Sequence, residues 1–179
     1  AAVGAKNVLG ISMPSRYSSK HSLDDARYTA EALGMQFKIE SIDEMHSTLE
    51  TQIGSVLSNG SPVASENIQS RLRGIIVMAH ANAEGRMAVA TGNKSELAQG
   101  YCTLYGDMAG GYTPLGDLYK MQVYALAEVF NSRASQSALQ PPVNSSTMSK
   151  PPSAELAPDQ KDEDSLPPYQ TLDEILRLH

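Results

Sequence analysis

The sequence predicts an α/β protein built on a parallel sheet covered on both faces. Three observations carry this. Three segments have strand character: the apolar run at residues 7–13, the alternating stretch at 36–42 and the short stretch at 86–90. Stretches with helical periodicity lie between and after them. Strands that alternate with helices along one chain bury best as parallel strands joined by crossover helices.

The elements follow in order. Residues 7–13 (NVLGISM) form the first apolar run, closed by Pro14, which cannot extend a ladder. The polar loop 15–21 carries Arg16. Ser22 is expected to cap a helix whose first turn holds Asp24 and Asp25, favourably placed against the helix dipole. Gly34 suits the stop of that helix. Residues 36–42 alternate polar and apolar, as a half-buried strand does. Asp43 opens a helix reaching to about residue 56, and 58–65 is a loop of Asn, Gly, Ser and Pro.

Residues 66–83 form the strongest helical pattern, with Ile68, Leu72, Ile75, Ile76 and Ala79 as the expected buried stripe. A short strand at 86–90 leads through Thr91, Gly92 and Asn93 into a helix from Lys94. Residues 100–114 are a glycine-rich loop, and 118–130 are helical again. Segment 131–152, rich in Ser, Gln and Pro, reads as a mobile surface linker. Residues 169–178 form a final helix.

Bulk properties narrow the function. With 179 residues, 41% hydrophobic and 19% charged, the chain is ordinary globular material with enough length for one core. A net charge of −6 argues against a nucleic-acid partner, since neutralising phosphates takes a basic surface. No run approaches the ~20 apolar residues of a membrane span, so no membrane partner is expected. No signal peptide precedes the first strand, and the single cysteine, Cys102, cannot form an internal disulfide. Both features point to a reducing, cytoplasmic setting. Residues 1–6 read as the end of a helix, and 171–179 as a helix that stops abruptly. The expectation is a piece of a longer chain.

Ligands of open α/β sheets bind beyond the carboxyl ends of the strands. Three segments fall there: 13–19, 91–96 and 105–113. In the second, Gly92 permits close backbone approach, while Thr91 and Glu96 offer a hydroxyl and a carboxylate. Those are hard oxygens of the kind Mg²⁺ shares with phosphates. The same spacing describes a capped helix with a solvated carboxylate, and spacing alone favours that simpler account. In the third, the glycines around Asp107 allow a loop to wrap a ligand, or simply to flex.

Asn67 and Arg71, four apart, share one helix face. Arg71 suits a carboxylate or phosphate, although spacing alone favours a solvated surface pair. Lys120 opens a helix, where a cation is unfavourable without a partner. A triphosphate would serve, and so would a salt bridge to a neighbour such as Asp117. The four histidines show no metal-ligand spacing, and Cys102 has no adjacent base. The acids at 155, 159 and 162–164 could bind a metal but read more simply as a solvated loop.

Four blocks match one family in order and spacing. They are residues 12–26 (SMPSRYSSKHSLDDA), 66–71 (ENIQSR), 90–127 (ATGNKSELAQGYCTLYGDMAGGYTPLGDLYKMQVYALA) and 151–169 (PPSAELAPDQKDEDSLPPY). The chain resembles the synthetase domain of NAD synthetases, and its wording is closer to the glutamine-dependent branch. The resemblance implies the Rossmann-like, doubly wound parallel sheet of the ATP pyrophosphatase (adenine nucleotide alpha hydrolase-like) type. It implies Mg²⁺ as cofactor and ATP, deamido-NAD and ammonia as substrates, with adenylation of the nicotinate carboxylate before ammonia displaces AMP.

By position, the resemblance assigns Thr91 and Glu96 to Mg²⁺ and the ATP phosphates, and Lys120 and Ser153 to phosphate during adenylation. Lys120 and Glu96 become the catalytic pair. Asn67, Arg71 and Asp107 would hold deamido-NAD, and Met13 and Arg16 the adenosine of ATP. A homo-oligomer and a partner glutaminase domain are implied in the same way. The family's Ser-Gly-Gly-x-Asp-Ser pyrophosphate loop is not in this sequence, nor is the glutaminase domain. Residues 1–179 are therefore expected to be a partial synthetase domain that does not turn over normally alone. Two other readings are another ATP pyrophosphatase, such as a GMP synthetase or tRNA-thiolating enzyme, and an inactive nucleotide-binding fragment.

Overall fold

A computed structural model describes residues 3–178. In chain order the elements are β1 (Leu9–Ser12), α1 (Lys20–Leu33), β2 (Gln36–Ile39), α2 (Asp43–Gln52), α3 (Gly54–Leu57) and α4 (Val63–Glu84). They continue with α5 (Lys94–Ala98), α6 (Lys120–Gln136), α7 (Ser145–Ser149) and α8 (Tyr169–Arg177). The chain is an α/β protein with a parallel sheet, and it divides into two compact units. The first holds the residues up to Ser41 together with Met121–Ser165, the second Ile42–Lys120 together with the residues from Leu166 onward.

In the first unit, β1 pairs in parallel with β2, Leu9 facing Gln36 and Ser12 facing Ile39. Helix α1 is the crossover between them and packs on both strands. Its cap is Ser19, three residues before the expected Ser22. The Ser19 hydroxyl accepts the Ser22 amide at 3.2 Å, and the Ser22 hydroxyl donates instead to Glu155 Oε1 at 2.6 Å. Gly34 ends α1 in the left-handed region at φ 65°, as its position suggested.

Segment 131–152, read from sequence as a linker, contains the end of α6 and all of α7. The Asn131 amide group closes it by donating to Val143 O at 2.8 Å and accepting from Val143 N at 3.0 Å. Helix α7 packs on α1, with Asn144 Nδ2 and the Ser146 hydroxyl both donating to Asp25. Isolated serines and asparagines carry no periodicity, so pattern reading could not find these tertiary bonds.

In the second unit, α2 packs on α4. The buried face of α4 differs from the expected stripe. Leu72 and Ile76 are buried, but Ile75 is 62% exposed and Ala79 is exposed, while Gln69, Ser70 and Gly74 are buried instead. The reason is close backbone approach. A Cβ on Gly74 would stand 2.8 Å from Tyr105 O and 3.0 Å from Gly106 O, so the loop after α5 lies directly against α4. That contact selects for small residues where an amphipathic pattern expects large ones.

The expected strand 86–90 reduces to a single parallel bridge, Val89 with Tyr112. Two bonds make it: Ala90 N to Tyr112 O at 3.0 Å and Gly111 N to Ala88 O at 2.9 Å. The partner segment is bounded by Gly111 and by Pro114, which has no amide to extend the ladder.

Candidate functional site

The second unit holds most of the sequence-nominated residues, in two clusters. The first is built where the chain leaves Ala90 and enters α5. Asn93 caps this helix in a reciprocal box: its Oδ1 accepts the Glu96 amide at 3.1 Å, and Glu96 Oε2 accepts the Asn93 amide at 3.0 Å. Glu96 Oε1 is then left to accept the Lys120 ammonium at 2.8 Å. Glu96 is thus both the capping residue and one half of an ion pair, each side chain 19% exposed.

The partner of Lys120 is therefore Glu96 and not the nearby Asp117, which pairs with Lys94 at 3.2 Å. Asp117 is 98% exposed, so that second pair contributes little. The Lys120 ammonium also stands 5.0 Å from the ring centroid of Tyr169 in α8. Ring and carboxylate together supply the negative field that a cation at a helix start requires. Thr91 sits exposed one residue before Gly92.

The second cluster joins α4 to the glycine loop. The Thr103 hydroxyl donates to Asn67 Oδ1 at 2.8 Å. Asp107 Oδ1 accepts the Thr103 amide at 2.6 Å and the Ser70 hydroxyl at 3.2 Å, and Ser70 Oγ accepts the Asp107 amide at 3.0 Å. Arg71 Nε donates to Leu104 O at 3.2 Å. Asn67, Arg71 and Asp107 are thereby brought to one place. Asp107 and Arg71 are exposed, and the buried Ser70 between them had no signal in the sequence.

A cavity of about 90 Å³ lies beside both clusters, its walls including Gly92, Leu97, Cys102, Asp107 and Thr113. It is mostly apolar, with the Asp107 carboxylate as its charged group. Burial raises the Cys102 thiol pKa, and the carboxylates of Asp107 and Glu96 raise it further. Cys102 is thus a poor nucleophile, as its lack of an adjacent base suggested.

The first unit holds Met13, Arg16 and Ser153. Met13 is half-buried and Arg16 exposed just after β1, with the guanidinium 6.0 Å from the Tyr17 ring centroid. Ser153 is engaged within its own loop, donating to Gln160 O at 2.5 Å and accepting the Glu155 amide at 3.0 Å. Glu155 adopts φ 51°, a left-handed conformation unusual for a side-chain-bearing residue.

The Glu155 carboxylate is held by the Lys150 ammonium at 2.6 Å, the Ser22 hydroxyl at 2.6 Å, and the Ser19 hydroxyl and amide at 2.8 and 3.1 Å. Burial alone would raise its pKa; the bonds from Lys150, Ser22 and Ser19 outweigh burial and bring it down to about 2. The expected acidic surface loop is thus partly an internal anchor, with Asp162 also buried. Among the described residues no group of three or more His, Cys, Asp or Glu could hold a metal by itself.

The comparisons with known proteins agree with one another. The NAD synthase family model matches residues 1–179. A glutamine-dependent NAD(+) synthetase of Rhodobacter capsulatus is 48% identical over 98% of this chain, which spans 32% of that protein. The structure of the glutamine-dependent NAD+ synthetase from Acinetobacter baumannii, in complex with ADP, aligns with TM-score 0.78 at 35% identity. That alignment covers 98% of this chain and 30% of that one. The structure of an NMN synthetase from Francisella tularensis aligns with TM-score 0.79 at 29% identity, covering 94% of this chain and 66% of that one. The match runs through the block that carries Glu96, Asp107 and Lys120, and the chain belongs to the NAD synthase family.

Proposed function

We propose that this chain forms part of the amidating centre of an NAD synthetase, converting deamido-NAD to NAD at the expense of ATP. The observation that carries this is the half-buried Lys120–Glu96 pair beside a cavity with one carboxylate, Asp107. The fold proposed is the Rossmann-like ATP pyrophosphatase type. Ammonia is the nucleophile, drawn from glutamine by a glutaminase domain in the full-length protein, which is expected in the cytoplasm as a homo-oligomer. No helix among the described residues is long and apolar enough to cross a membrane.

The chemistry needs activation because a carboxylate has no leaving group. A carboxylate oxygen of the nicotinate attacks the α-phosphorus of ATP, and pyrophosphate departs. Ammonia then attacks the acyl carbon, loses a proton, and AMP leaves with that oxygen. Lys120 offsets negative charge on the phosphates. Arg71, Asn67 and Asp107 orient the dinucleotide, and Ser153, Met13 and Arg16 are proposed for ATP. The residues suit Mg²⁺: Thr91 and Glu96 offer hard oxygens, and each Glu96 oxygen holds one hydrogen bond with lone pairs to spare. When bound, such an ion neutralises phosphate charge.

A second reading, amidation of the corresponding mononucleotide, has the likeness to the NMN synthetase in its favour. The higher identity to the glutamine-dependent NAD(+) synthetases favours the dinucleotide. The full-length protein, given ATP, Mg²⁺, ammonium and either substrate, is expected to prefer deamido-NAD and to release AMP. Release of ADP would reject the adenylation chemistry, and preference for the mononucleotide would select the second reading.

A further inference from the structure

Helix α8 places Tyr169, Leu172 and Asp173 on one face at spacings of three and four, and all three are buried. An aspartate 2% exposed in a nine-residue helix is a costly choice unless its carboxylate has work to do. Its Oδ1 accepts the hydroxyl of Ser95, itself fully buried in α5, at 2.5 Å. The Ser95 oxygen in turn accepts the backbone amide of Lys120 at 2.9 Å. Lys120 is the first residue of α6, so its amide has no acceptor within its own helix. The Tyr169 ring, one turn back on α8, lies against the Lys120 ammonium.

We infer that Asp173, acting through Ser95, is a positioning residue for Lys120. A hydroxyl has one proton and two lone pairs. The Ser95 hydroxyl donates to Asp173 Oδ1, so Asp173 fixes the direction of the Ser95 proton. One of the two lone pairs of the same oxygen accepts from Lys120 N. Asp173 thus sets the backbone of Lys120, Glu96 and Tyr169 set its ammonium, and both ends of the lysine are held. Ser95 also neighbours Glu96, so one buried hydroxyl ties the two members of the ion pair to a common origin. The catalytic consequence rests on the function proposed above, and the geometric consequence does not.

The test has two arms. In the first, the rate of Lys120 acetylation is read by mass spectrometry against the exposed Lys20, with melting followed in parallel. Ser95→Ala and Asp173→Leu should raise Lys120 reactivity about tenfold relative to Lys20, the scale of one lost hydrogen bond near a charge. Ser95→Thr and Asp173→Asn keep the donor and the acceptor and should stay close to wild type. An unchanged Lys120 rate in Ser95→Ala, or an equal rise at all lysines, overturns the inference.

In the second arm, kcat is measured for the full-length protein. Ser95→Ala should lower kcat about tenfold with KM little changed, and should add nothing to the loss caused by Lys120→Met. Additive losses overturn the positioning role. Failure of the wild-type protein to make NAD would sink the proposed function, and the acetylation arm would still decide the positioning role.

Discussion

Lys120 Nζ lies 2.8 Å from Glu96 Oε1, with both side chains four-fifths withdrawn from water. A pair this far out of solvent holds its geometry better than a surface salt bridge, and removing one member strands the other. Lys120→Met is expected to lower kcat by about 10²–10³, the scale of losing one preorganised charge donor, with smaller changes in KM. Glu96→Ala should abolish Mg²⁺-dependent turnover. Initial rates against ATP and Mg²⁺ check both, and activity close to wild type in either variant would remove that residue from the site.

Gly74 faces the carbonyl oxygens of Tyr105 and Gly106 at distances a Cβ cannot tolerate. Gly74→Ala should push the loop away from α4 and cost about 1–3 kcal/mol in urea unfolding, as overpacking does. Gly54→Ala, where a Cβ would meet nothing within 4 Å, should be near neutral. Equal stability of the two variants would contradict the close packing of this loop.

Glu155 has a folded pKa of about 2 against an ordinary 4.5. Its depressed value means that the ionised form stabilises the fold. That contribution is complete above about pH 5 and is lost as pH falls from 4.5 toward 2. The melting temperature of the wild-type chain should therefore fall across this range more steeply than that of Glu155→Gln. Parallel pH profiles for the two would show that the Lys150 and serine contacts do not form in solution.

Cys102 carries a raised pKa from burial and from the neighbouring Asp107 and Glu96 carboxylates. Its alkylation by iodoacetamide at pH 8 should be slower than that of free cysteine. Asp107→Asn removes one negative neighbour, lowers the pKa and should speed the reaction. A slower reaction in that variant would contradict the placement of Asp107 beside the cavity.

Much of the fold was legible because its signals are local. Gly34 stops α1 as a left-handed cap, the final helix falls where it was expected, and the β1–α1–β2 crossover follows from one apolar run, one alternating stretch and the helix between them. The errors share a different origin. The α4 stripe failed at Ile75 because the buried face is chosen by a loop some thirty residues away, through Ser70 and Gly74. The strand at 86–90 failed because its partner is cut short by Pro114.

At the site, Glu96, Asp107 and Lys120 could be named from a block of sequence, but their partners could not. Asn93 read only as part of a turn, although an Asx residue three before a glutamate is the pattern of the reciprocal cap it forms. Ser95 and Asp173 are 78 positions apart, and only the packing of α5 on α8 joins them. Glu155 read as a solvated loop charge, and only the structure brings Lys150, Ser19 and Ser22 onto it. Long-range hydrogen bonds leave no period in a sequence, so these residues surface only in three dimensions.

The central claim is that the nicotinate carboxylate is adenylated. It is tested most directly by supplying the full-length protein with deamido-NAD labelled with ¹⁸O in that carboxylate, together with ATP, Mg²⁺ and ammonium. Mass spectrometry of the products should find one labelled oxygen in AMP and the other in the amide of NAD. Label confined to NAD and water, with unlabelled AMP, would contradict the account.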